Sequence, residues 1–98
     1  MPRKRLEFSL RALRDIERIE DYYAEIAGEA VAEKATAAIL AQSRKIAALG
    51  LLFRPGIRSG TRECVMTRFP YTIVYRSTSQ VISVIRVLHQ RAEYFNRR

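Results

Sequence analysis

Gly28 separates two long stretches of helical periodicity, and this pair limits the architecture more than any other feature of the chain. From Leu10 to Ala27, the apolar residues Ala12, Leu13, Ile16, Ile19, Tyr23, Ile26 and Ala27 return at helical spacing and form one stripe of an amphipathic helix. Ser9 is a suitable N-cap, because its hydroxyl can accept from a first-turn N–H. On the polar side, Arg11 and Asp15 stand one turn apart and are expected to pair. Between Glu29 and Leu49 a second stripe runs through Val31, Ala35, Ala38, Ile39, Ile46 and Leu49. Glu29 and Glu33 lie near its positive end, Arg44 and Lys45 near its negative end. Gly28 and Gly50 stop the two helices. Two helices joined through one residue predict an antiparallel helical hairpin. Gln42 falls inside the second stripe, whereas Leu40 falls outside it and is assigned to a partner-binding surface.

The hairpin's apolar side needs a second layer. Residues 4–8 alternate in part and predict a short strand before it. Residues 51–61 contain Pro55, Gly56 and Gly60 and read as a loop, its start pinned by Leu51, Leu52 and Phe53. Three strands follow, at Arg62–Arg68, Tyr71–Arg76 and Val81–Leu88. The last is apolar on both faces, with Val81, Ile85 and Val87 on one and Ile82, Val84 and Leu88 on the other, which predicts an interior strand. Residues 90–98 predict a short helical turn. The result is an α+β fold of order β-α-α-β-β-β, with the hairpin on one face of a small, mostly antiparallel sheet and the other face open for binding. At 98 residues this is one domain, 1–98.

Charge narrows the function. Residues 1–34 hold 7 bases and 8 acids, and residues 35–98 hold 11 bases and 2 acids, so the second segment carries +9 of a total of +8. Of the 18 bases, 15 are Arg. Such a field attracts nucleic acid or an acidic protein, and Arg suits bidentate recognition of carboxylate or phosphate. The residues assigned to this docking role are Arg62, Arg68, Arg76, Arg86 and Arg91, with Glu63 and His89 among them. Glu63, one of two acids in the segment, is expected to have an Arg partner across the sheet, Arg76 or Arg86. No apolar run reaches the roughly 18 residues of a membrane span. No apolar core follows the basic start Met1-Pro2-Arg3-Lys4-Arg5, so a cytoplasmic location is expected.

Catalytic signals are sparse. The lone Cys64 excludes an internal disulfide and a Cys-based zinc site, and reads as a small buried hydrophobe. There is no Gly-rich phosphate loop and no metal-ligand spacing, so neither cofactor nor metal is expected. The one cluster able to support acid–base chemistry lies at the end of the last strand. There His89 and Tyr94 could exchange protons while Arg86 and Arg91 stabilise phosphate charge, a set suited to RNA cleavage by 2′-OH attack. A structural His with surface Arg side chains is the favoured reading of the same residues.

Several segments in order, Arg54-Pro55-Gly56, Gly60-Thr61-Arg62-Glu63, Pro70-Tyr71-Thr72-Ile73-Val74-Tyr75-Arg76 and Ile85-Arg86-Val87-Leu88-His89, resemble the ParE branch of the ParE/RelE toxins. The first helix, with Asp15-Ile16, Ile19 and Tyr22, fits as well. The resemblance implies the toxin half of a type II toxin–antitoxin system. ParE-like members poison DNA gyrase, and RelE-like members cleave mRNA in the ribosomal A site. The RelE pattern places an Arg directly after the Tyr that opens the second of the three strands, and Thr72 stands there instead. The resemblance therefore implies gyrase binding, with the ribonuclease set Arg86, His89, Arg91 and Tyr94 as the alternative. It also implies an acidic, ParD-like antitoxin that folds along the toxin. Its apolar anchors would meet Leu13, Ile16, Tyr23 and Leu40, and operator DNA would be met only through the complex.

Overall fold

The computed structural model describes residues 3–96. Met1, Pro2, Arg97 and Arg98, counted above in the basic start and tail, lie outside them. In chain order the elements are β1 (Arg5–Phe8), α1 (Leu10–Ala27), α2 (Glu29–Leu49), β2 (Arg54–Pro55), β3 (Arg62–Val65), β4 (Tyr71–Ser77), β5 (Val81–His89) and a 3-10 turn at Glu93–Phe95. The five strands form one sheet in the order β1-β5-β4-β3-β2. Pairs β2–β3, β3–β4 and β4–β5 are antiparallel, and β1 runs parallel to β5. The α+β order, the mostly antiparallel sheet, the interior position of β5 and the terminal helical turn are as the sequence predicts.

The helices start and stop where their local chemistry dictates. Ser9 Oγ accepts from Ala12 N at 3.0 Å. Gly28 joins the helices at φ 94°, ψ 166°, a conformation open in practice only to glycine. Gly50 closes α2 in the left-handed region, its N–H bonding Ile46 O. The core lies between hairpin and sheet, where Ala12, Ile16, Ile19, Ala35, Ile39 and Ile46 meet Ile73, Tyr75, Ile82, Val84 and Val87. Small residues let α2 lie close to its neighbours. Ser43, fully buried on that side, donates to Ile39 O at 2.8 Å and so carries no unpaired hydroxyl. The predicted stripes are wider than the buried faces. Leu13, Ile26 and Leu49 are exposed, because the hairpin is an outer layer covered from one side only.

Three expectations are corrected. First, the segment 51–61 is not all loop: Arg54–Pro55 pairs with Arg62 and Glu63 as an edge strand. Second, the two faces of β5 do not alternate as a regular strand would. Val74 pairs with Arg86 but Tyr75 pairs with Val84, leaving Ile85 as an extra, bulged residue. The bulge moves Val87 onto the core side with Ile82 and Val84. Third, the sheet face away from the helices is not open at its centre. Thr72, Val74 and Glu63 are each at most 1% exposed, with Ile57 folding back to hydrogen-bond Glu63.

Candidate functional site

Strand β1 ends at Phe8, opposite Val84, so β5 has no strand neighbour on that side from Ile85 onward. Backbone groups there need other partners, and the start of α1 supplies them. Ser9 Oγ donates to the carbonyl of the bulged Ile85 at 2.9 Å. Asp15 Oδ2 accepts from Val87 N at 3.0 Å. The same carboxylate grips Arg86 in a fork, with Nε to Oδ2 at 2.8 Å and Nη2 to Oδ1 at 3.0 Å. Asp15 is 4% exposed and the Arg86 side chain 18%. These hydrogen bonds hold the guanidinium pKa above its ordinary value, against the opposing effect of burial. Asp15 thus serves Arg86 across the fold, not Arg11 on the helix surface.

The second buried carboxylate belongs to the segment after α2. Glu63 accepts from Arg54 Nε at 3.2 Å and from Ile57 N at 3.0 Å, and Arg54 Nη2 lies 3.1 Å from the same Oε1. Arg54 therefore holds the place expected of Arg76 or Arg86. Arg62 and Arg76 are turned to backbone. Arg62 Nη1 donates to Phe53 O at 3.0 Å, and Arg76 Nη1 to Ser59 O at 3.1 Å. Tyr75, fully buried, donates from its hydroxyl to Leu51 O at 2.8 Å and accepts from Phe53 N at 3.0 Å. Burial pushes its phenol pKa up. Four side chains assigned to docking or to strand structure, Arg62, Glu63, Tyr75 and Arg76, thus fasten the segment 51–61 to the sheet.

The remaining predicted site residues divide between two places. His89 is exposed, accepts from Arg91 N at Nδ1 at 3.0 Å, and sits edge-on to Tyr71 with ring centroids 5.7 Å apart. Tyr71 belongs to an aromatic cluster with Tyr23 and Phe69, and Arg68 lies over the Phe69 ring. Arg86 and Tyr94 instead share a cleft of about 260 Å³ with Ser9, Leu10, Arg11, Arg58 and Ile85. The Arg58 guanidinium stacks on the Tyr94 ring at 5.2 Å. His89 and Arg91 do not line this cleft. Sequence reasoning missed Arg58 and Arg11. Arg58 could have been suspected, since a lone cation between Gly56 and Gly60 sits on a turn held against the sheet.

Of the apolar anchors, Leu13 is exposed, Tyr23 and Leu40 are half-buried, and Ile16 serves the core at 7% exposure. Leu10, Tyr22 and Ile26 add further exposed apolar surface along α1. Among the described residues no group of His, Cys, Asp and Glu is placed to hold a metal ion, and no helix is long and apolar enough to cross a membrane.

Comparison with known proteins places this geometry. The family model described as the ParE toxin of the type II toxin–antitoxin system parDE matches residues 6–94. A curated relative, Y4kP of Sinorhizobium fredii, whose name marks it as a candidate toxin, is 33% identical over 94 residues, covering 96% of each chain. A solved chain of the chromosomal ParDE toxin–antitoxin system from P. aeruginosa has the same fold, with a TM-score of 0.81 at 24% identity over 88% of this chain and 95% of that one. The match along nearly all of the chain shows that it belongs to the ParE toxin family of type II toxin–antitoxin systems.

Proposed function

We propose that this toxin acts in the cytoplasm by binding DNA gyrase as a protein ligand, with no hydrolytic step of its own, and that a ParD-like antitoxin neutralises it. One observation carries the reading: the guanidinium that a ribonuclease would turn on phosphate is engaged by Asp15 through two hydrogen bonds. The other members of the alternative set are divided, with His89 and Arg91 at the end of β5 and Tyr94 in the cleft. Thr72, at the position where a nuclease would carry an Arg, is buried within β4. The exposed Leu10, Leu13, Tyr22 and Ile26 along α1 suit a partner that lays an amphipathic segment against the hairpin. The excess of Arg in residues 35–98 supports an acidic partner. Contact with operator DNA then goes through the antitoxin complex.

The test is a supercoiling assay with purified gyrase beside a translating extract. The expected result is loss of supercoiling at toxin concentrations that leave mRNA intact. Codon-phased mRNA cleavage, abolished by Tyr94→Phe, with gyrase unaffected, would replace this reading by the ribonuclease one.

A further inference from the structure

The cleft between the start of α1, the bulge of β5 and the terminal turn is lined in part by Tyr94. The Tyr94 hydroxyl is buried, yet has no hydrogen-bond partner among the described residues. A buried hydroxyl without a partner is costly, so such groups are rare in folded proteins. Around it the cleft is cationic. Arg11 and Arg58 are exposed at its wall, and Arg86 spends Nε and Nη2 on Asp15, leaving Nη1. No acidic side chain lines it. Asp15, which grips Arg86, is already satisfied by that guanidinium and by Val87 N, and Glu93, exposed beside Tyr94, lines the adjoining cavity with Ile57, Arg58 and Ser59. The other walls, Leu10 and Ile85, are apolar, and Leu10 and Leu13 continue that surface one turn along α1.

We infer that this cleft is a carboxylate-binding site for an acidic, partly apolar peptide, one Glu or Asp of which enters it. The carboxylate accepts from the Tyr94 hydroxyl and from the guanidinium groups of Arg11 and Arg58, and a neighbouring apolar residue packs on Leu10 and Leu13. The combination favours a peptide over a nucleic-acid strand. The cleft takes one anionic group, and the surface beside it at Leu10 and Leu13 is aliphatic. The inference deepens the antitoxin reading by assigning a place to one of the partner's carboxylates.

The experiment titrates the isotopically labelled full chain, followed by NMR, with three probes: an acetylated peptide of Leu and Glu, the same peptide with Gln for Glu, and hexauridylate. The expected result is shifts at Leu10, Arg58 and Tyr94 with the Glu peptide, and binding weakened about tenfold by the Gln peptide, by Tyr94→Phe or by Arg58→Gln. Lys34→Gln, which removes an exposed cation from α2, should leave affinity within about twofold. Equal binding of the Gln peptide, no loss in Tyr94→Phe, or hexauridylate shifting the same residues at lower concentration would each overturn the inference. If the product of the neighbouring gene binds this toxin and Tyr94→Phe with equal affinity, the cleft assignment fails and the antitoxin reading stands. If no such complex forms but the Glu peptide binds, the reverse holds.

Discussion

Among the described residues of this small basic domain two carboxylates are buried, and they do different work. Asp15 joins residues 71 positions apart: it ties the first helix to the last strand, and both partners are largely out of water. Glu63 joins a strand to a partner 9 positions away, and its Arg54 is half exposed. The chemistry is alike, but the consequences differ. Removing one member of a largely buried pair strands a charge, whereas a half-exposed Arg turns back to water at little cost. The first pair therefore holds the two halves of the chain together. The second shapes one segment.

The largest expected effect follows from that difference. Asp15→Ala should destabilise the fold by about 3–5 kcal/mol, read as a fall in the urea midpoint. Pairing Asp15→Leu with Arg86→Met should recover most of the loss, because no lone charge is then left in the interior. Glu63→Ala comes next, at about 2–3 kcal/mol, chiefly through the Ile57 N–H left without its acceptor. Arg54→Ala leaves the buried Glu63 carboxylate without this cation and should cost a similar amount, about 2–3 kcal/mol. Equal losses in Asp15→Ala and Glu63→Ala, which free a largely buried and a half-exposed Arg respectively, would erase the distinction between the two pairs.

Tyr75→Phe removes both hydroxyl bonds that hold residues 51 and 53, and should cost about 1–2 kcal/mol. Proteolytic cleavage should then rise within 51–61 and not in the helical hairpin. The smallest effect is with pH. Burial raises the Cys64 thiol above its ordinary value of 9.0, with a hydrogen bond from Gln42 opposing it, and burial likewise raises the Tyr75 phenol. The unfolded chain releases these protons first. Their contribution is thus fully present below the unfolded pKa values and is lost as pH rises through the folded ones. Stability measured by denaturant should fall as pH is raised beyond about 9, and Cys64→Ala should make that fall shallower.

Much of the architecture was legible because it rests on local signals. Ser9, Gly28 and Gly50 mark the helix limits, and the apolar character of β5 marks an interior strand. The β5 bulge was not legible. It depends on where β1 ends and on Asp15 being free to receive Val87 N, a relation between residues 72 positions apart. That single irregularity changed the facing of Val87, and it lies beside the cleft that Ile85 and Arg86 line. The Arg assignments fared unevenly for a related reason. Composition shows that a segment is cationic, but it does not show that Arg62 and Arg76 spend a donor on backbone carbonyls while Arg58 stacks on Tyr94. The polar position of Asp15 on a helical wheel suggested solvent, and only the sheet edge explains its burial.

Commitment of Arg86 to Asp15 is what separates a binding toxin from a nuclease in the proposed function. A double-mutant cycle on Asp15→Ala and Arg86→Ala, followed by urea unfolding, measures that commitment directly. The predicted result is a coupling of about 2–3 kcal/mol, with both single variants clearly destabilised. Additivity within about 0.5 kcal/mol, with Arg86→Ala as stable as the parent chain, would contradict it and leave Arg86 free for phosphate chemistry.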